Sequence, residues 1–170
     1  MKEINPVCVQ VSKIKFDSNI NVAPISWYKN IVKDTGKPDL VATLILSDIW
    51  YWYKLSVIID ENTREIIGYK QKFAADKLQR RYSYYQDIYG LSRSQTKRAF
   101  DRLVSNELIT REFRNITTGN TKLSGVMYVE PIPENVEQIS FLEKTNGVYF
   151  EVKGGSQICH TPLANLSPPP

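Results

Sequence analysis

Histidine is nearly absent from this 170-residue chain: His160 is the only one, and Cys8 and Cys159 are the only cysteines. Two cysteines so far apart, with one histidine between them in number, make no zinc-ligand spacing and no disulfide framework. Both thiols are expected free, in a reducing cytosol. Long apolar runs are also lacking. The richest, Leu40–Tyr53, is interrupted by Asp48 and closed by Lys54, too short and too broken for a membrane span, and reads as a core helix. The opening MKEINPVCVQ has neither the charged start nor the apolar run of a signal peptide. No phosphate-cradling glycine loop, HExxH or nucleophile elbow occurs, and the carboxylates are scattered without pairing. His160 sits beside Cys159 and before Thr-Pro in an aperiodic segment, so neither a catalytic residue, a metal nor a cofactor is expected. An enzyme would need catalytic residues beyond Pro170.

What is present is an ordinary soluble composition, 42% hydrophobic and 24% charged, with length for one domain and a tail. The net charge of +4 is modest, but its placement is uneven. Between Asp76 and Lys122 there are ten Lys/Arg and five Asp/Glu, so the excess is concentrated there, as an electrostatic footprint for nucleic acid would be.

The same window carries the clearest pattern. Tyr82–Tyr89 reads as a short helix ended by Gly90; Ser92 and Gln95 form the S-x-x-Q of a capping box for the next helix. There Thr96, Ala99, Phe100, Leu103 and Val104 recur at helical spacing as one buried stripe. The opposite face holds Ser94, Arg98, Asp101 and Ser105, flanked by Arg93, Gln95, Lys97 and Arg102. Many charged helix faces are merely solvated, but the segment that follows points further. Ile109 to Phe113 alternates as a strand does, Thr117-Thr118-Gly119-Asn120 is turn chemistry, and Val126–Val129 returns. A helix, a tight turn, a longer helix and a hairpin, in that order, is the pattern of a winged helix-turn-helix, whose second helix suits a major groove.

The expected contact set follows. On the second helix it is Arg93, Ser94, Gln95, Lys97, Arg98 and Arg102; on the hairpin, Arg111, Arg114, Thr117, Thr118, Asn120 and Lys122. Lys77, Arg80, Arg81, Tyr82, Tyr84 and Tyr85 are candidates for phosphates, which position a duplex without reading it. For the tyrosines, packing is an equal alternative.

Elsewhere, Val7–Phe16 alternates as a strand with a register change near Lys13, and WYKNIV is a short helical piece with Ser26 as a cap. Asp39 caps the Leu40–Tyr53 helix, where Leu40, Val41, Leu44, Ile45, Ile49 and Trp52 hold helical spacing. The Trp50-Tyr51-Trp52-Tyr53 cluster offers stacking surfaces for bases, although aromatics on a core helix usually pack. Val57–Tyr69 reads as a further hairpin, FAADKLQRR as a short helix, and the stretch after Pro131 as a short helix and a strand at Val148–Val152. From Gly154 the chain is Gly/Ser/Pro-rich and aperiodic, an expected linker or tail, and its stop at Pro170 suggests a cut from a larger protein.

The runs LVATLILSDIWYWYKL and DKLQRRYSYYQDIYGLSRSQTKRAFDRL, with the REFRNITT hairpin, resemble the N-terminal winged-helix domain of replication initiator proteins of phages, plasmids and related mobile elements. The resemblance covers roughly residues 27–141. It departs from the family in a longer Val57–Tyr69 hairpin, and in Glu107 at a position often held by glycine. It implies origin recognition on duplex DNA in the bacterial cytoplasm, association with the nucleoid, and a further C-terminal region that recruits a helicase or carries an ATPase. A homodimer on repeated sites is a further implied partner, and a membrane is not. The alternatives are a transcriptional regulator and a protein-interaction module of the same fold. The expected class is α+β: an N-terminal extension over 1–37, a winged helix-turn-helix with an extra hairpin over 38–141, a C-terminal strand over 142–153 and a linker over 154–170.

Overall fold

The computed structural model describes residues 23–145 and 148–151. The strand expected at Val7–Phe16 and the tail from Gly154 lie outside them. The chain is mixed α+β with antiparallel sheets. In order come α1 (Ile25–Asn30), α2 (Leu40–Tyr53), β1 (Ser56–Ile59), β2 (Ile66–Lys70), β3 (Leu78–Arg80), α3 (Tyr82–Tyr89) and α4 (Arg93–Ser105). These are followed by β4 (Ile109–Thr118), β5 (Thr121–Pro131), α5 (Pro133–Phe141), β6 (Leu142–Thr145) and β7 (Val148–Glu151). β1 pairs with β2, β6 with β7, and β5 lies between β3 and β4.

The core forms around α2. Asp39 caps it as expected, accepting from the Ala42 N–H at 3.1 Å. From Ala42 to Ile49 the helix is buried on almost every side, because α1, α4 and the β3–β5–β4 sheet all pack on it. Leu40, expected in its buried stripe, is exposed instead, whereas Ala42 and Leu46 are fully covered. An all-round buried helix has no one-sided stripe to read. The aromatic cluster at its end is packing: Trp50 meets Trp27 edge-on, and Tyr53 packs on Phe73. The Tyr53 hydroxyl accepts from the Leu78 N–H and donates to the Val129 carbonyl, joining helix to sheet. Burial raises its pKa above the usual phenol value.

Two local expectations are corrected. Ser26 does not cap α1, which begins at Pro24 without a side-chain cap. Its hydroxyl donates to the Ser140 carbonyl instead, beside the Trp27 Nε1–H to Ser140 Oγ bond of 2.7 Å, so α1 is tied to α5. The FAADKLQRR segment is not a helix. Residues 72–77 bend, and Leu78–Arg80 form β3 against β5. Leu78 and Arg80 face inward and Gln79 outward, so pairing to an available strand edge overrides helix propensity.

The central pattern folds as its residues dictate. Gly90 ends α3 in the left-handed region at φ 65°, and the reciprocal capping box of Ser92 and Gln95 opens α4. Thr96, Ala99, Phe100 and Leu103 are buried. The exit from α4 uses two bonds, Glu107 N–H to the Val104 carbonyl and Leu108 N–H to the Leu103 carbonyl. That is a Schellman ending, and it holds Glu107 at φ 54°, the backbone state that usually selects glycine. The hairpin then turns at Gly119-Asn120, with positive φ at Gly119 alone, as a two-residue type II′ connection requires.

Candidate nucleic-acid interface

α4 turns its exposed face away from the core at the base of the β4–β5 hairpin. Arg93, Ser94, Gln95, Lys97 and Arg98 are all exposed on its first two turns. They differ in what remains available to a ligand. Gln95 Oε1 accepts the Ser92 N–H at 2.8 Å, which leaves only its amide nitrogen. Arg98 Nε reaches the Ser94 carbonyl of its own helix, while its outer nitrogens face solvent. Lys97 pairs with Asp101 at 2.7 Å. Arg93 has no partner among the described residues.

Arg102 belongs elsewhere. Its guanidinium bonds Asp39 at 2.8 Å, Asp34 at 3.1 Å and the Val32 carbonyl, so it fastens α4 to the start of α2. Asp34 and Asp39 push its pKa further up. The helical spacing placed it near the exposed face; a carboxylate more than sixty residues away draws it inward.

The hairpin cations are likewise engaged. Arg111 donates to Asp101 at 2.7 Å and to the Tyr82 hydroxyl. Arg114 forks onto Asp76 at 2.7 and 2.9 Å, pairs with Glu112 and lies over the Tyr128 ring. Lys77 sits between Glu112 and Glu130. Asp101, bonded by Lys97 and then Arg111, and Asp76, bonded by Arg114, both titrate below the usual carboxylate range. Only the tip is unencumbered: Thr117, Thr118, Asn120 and Lys122 are exposed.

Three of the backbone candidates are structural. Tyr85 is fully buried and donates to Asp48 at 3.0 Å. Arg80, 8% exposed, bonds the same carboxylate at 3.2 Å and lies between the Trp52 and Tyr84 rings. The Tyr84 hydroxyl completes the group on Asp48. Burial first, and then the Asp48 charge, raise the pKa of both tyrosines. These three therefore leave the contact set as partners of the buried Asp48 carboxylate, although Arg80 Nη2 is itself buried without a hydrogen-bond partner among the described residues. Tyr82 is half-buried against Phe100. Arg81 is exposed, and its side chain has no partner among the described residues.

Arg81 and Arg93 share a location. Both line a groove of about 380 Å³ between the α3–α4 entrance and the hairpin, floored by Phe113, Leu123, Gly125 and Met127. The sequence pattern did not single out Phe113, whose ring is 56% exposed. Alternation alone marks it as a strand residue and says nothing of what it faces. The hairpin is distorted beside this groove: the register slips between Arg114 and Ile116. There Asn115 Oδ1 accepts the Gly125 N–H at 3.1 Å with Gly125 at φ 66°, the geometry of a bulge that re-aims a strand.

Among the described residues no helix is long and apolar enough to cross a membrane, and no three His, Cys, Asp or Glu side chains are grouped as a metal site. Comparison with protein-family models, with curated proteins and with solved structures returns no match, so the functional reading rests on the chain's own geometry and chemistry.

Proposed function

We propose that residues 38–141 are a winged helix-turn-helix that binds duplex DNA, with α4 in the major groove and the β4–β5 hairpin as the wing. One observation carries the reading: α4 is fastened on its inner face by a buried stripe and Arg102, while Arg93, Ser94, Lys97 and Arg98 project from its early outer face. A rigid helix with polar donors on its first turns is what base edges require. The chain does no chemistry in this reading. By its resemblance, the role is origin recognition by a mobile-element initiator in the bacterial cytoplasm. Helicase recruitment then falls to a further region, and copies assemble on repeated sites; a regulator would use the same face.

Salt titration of duplex affinity tests the reading. Log affinity falls linearly with log salt, by about 0.9 for each phosphate neutralised. Arg98→Ala costs about 1–3 kcal/mol on the cognate site and relaxes preference at one base position. Affinity insensitive to salt and to Arg93→Ala would remove duplex binding. Replication from cloned cognate repeats by a longer protein, but not by residues 1–170, separates initiator from regulator.

A second reading, a protein-interaction module, is favoured by the β1–β2 hairpin, whose apolar side chains are exposed on both faces. It gains if duplex binding fails while the folded chain self-associates or captures a partner through that hairpin.

A further inference from the structure

The groove between the α3–α4 entrance and the hairpin has an apolar floor that the proposed duplex contact does not use, and it shares Arg93 with that contact. Its floor is apolar, with Phe113 56% exposed and Leu123 41% exposed. Its walls carry Arg81 and Arg93, both exposed and neither engaged by a carboxylate among the described residues. The arginines of the hairpin itself are engaged: Arg111 by Asp101, with its guanidinium 5.9 Å from the Phe113 ring centroid, and Arg114 by Asp76. Two uncompensated cations flanking an exposed aromatic ring call for an anion that also carries an apolar or π surface.

Paired, stacked bases keep their faces inside the duplex, so only an unpaired base can lie on the ring. A peptide with acidic and apolar side chains would also satisfy the charge, and β5 is open on one side there: β3 meets it only at Met127–Val129, so Leu123–Val126 have no β3 partner. An added strand would use that edge and leave the Phe113 ring unused, whereas a stacked base uses the ring and the charge together, so failure of a single strand to bind would leave a peptide as the occupant. The groove volume of about 380 Å³ is ample for one base and its sugar. We propose that this groove binds an unpaired nucleobase stacked on Phe113, with the flanking phosphates held by Arg81 and Arg93. The protein then has a single-strand site beside its duplex face, suited to DNA that is locally opened next to the bound site. The inference goes beyond the duplex reading and does not require it.

The test uses the full chain with a fluorescent oligothymidylate of about twelve nucleotides, within the span of known single-strand sites, and in parallel a duplex of the same length. Wild type binds the oligothymidylate, and a 2-aminopurine placed within a matching single strand is quenched on binding. Phe113→Ala weakens single-strand binding by about tenfold or more, the loss of one aromatic stack, leaves its salt slope unchanged, and leaves duplex affinity unchanged. Phe113→Trp retains binding. Arg93→Ala lowers the single-strand salt slope by about 0.7. Because Phe113 is exposed, its variants fold, which an unchanged Tm verifies. No binding of the oligothymidylate, or equal binding by Phe113→Ala, overturns the proposal. Equal loss of single-strand and duplex affinity in Phe113→Ala also overturns it, because the ring would then pack on duplex sugars. Failure of the wild-type chain to bind any duplex, with single-strand binding intact and lost in Phe113→Ala, would instead sink the duplex reading and leave this one standing.

Discussion

Two of the hairpins, β1–β2 and β4–β5, share a strand composition and end in opposite circumstances. Both are antiparallel, both are rich in β-branched and aromatic residues, and both contain a register shift. The base of β4–β5 is in the core: Ile109, Met127 and Val129 are buried, β3 extends its sheet, and α4 covers one face. Among the described residues β1–β2 has no third strand and no helix packed on it, and Val57, Ile59, Ile66, Ile67 and Tyr69 are exposed. A lone two-stranded hairpin is marginal in water, so β4–β5 is held by tertiary contacts and β1–β2 by its own ladder and the Asp60 turn, whose carboxylate accepts from the Asn62 and Thr63 N–H groups. Residues of high β propensity between turn signals specify a strand. They do not specify that anything will cover the strand's apolar side.

The sharpest way to break this contrast is to shave each side of it. Phe100→Ala, in the core shared with the base of β4–β5 and against Tyr82 and Tyr85, should cost about 3–5 kcal/mol in urea unfolding. Ile67→Ala on β1–β2 should stay within about 0.5 kcal/mol. Comparable losses would mean that β1–β2 is covered in solution. The same exposure predicts that Ile67→Lys reduces any concentration-dependent self-association, read by sedimentation, with little change in Tm; reduced Tm without that change would count against a free hairpin.

A smaller effect lies at the junction of α4 with β4. Glu107 occupies a left-handed position at φ 54°, which costs a non-glycine residue about 1 kcal/mol. Glu107→Gly should therefore raise stability by up to about 1 kcal/mol, partly offset by the looser unfolded chain. A loss of stability would show that the Glu107 side chain contributes more than its backbone costs.

The smallest effect is on pH. Asp101 and Asp76 both titrate lower in the folded chain than unfolded, through Lys97 and Arg111 for the first and Arg114 for the second. Their ion pairs accordingly stabilise the hairpin above about pH 4, and that stabilisation is lost as pH falls through the depressed folded values. Asp101→Asn should lower Tm slightly at neutral pH and flatten its fall between about pH 5 and 3. An unchanged acid limb would mean that these surface pairs contribute nothing measurable. Asp76→Asn should in addition release Arg114 and steepen the salt dependence of duplex binding, if the hairpin meets phosphates.

Much of this architecture was legible because it is written in short-range chemistry. Gly90, the Ser92–Gln95 box, the Thr96–Leu103 stripe and the Gly119-Asn120 turn are all local, and each forms where its residues place it. The Lys97–Asp101 pair was within reach too, since positions four apart share a helix face. The roles of the charged side chains were not. Whether an arginine meets solvent depends on carboxylates distant in sequence. Arg102 is captured by Asp39, Arg114 by Asp76 and Arg80 by Asp48; Arg81 and Arg93 meet none among the described residues. Leu78–Arg80 became a strand because β5 presented an edge, and Phe113 came to line a groove with Arg81 and Arg93. Local propensity and spacing determined the elements and their ends, since those energies act within a turn or two of chain. Which cations are spent internally and which are left for a ligand was decided only when the helices and sheet closed around α2, because Coulomb and burial terms act through space and not along the sequence.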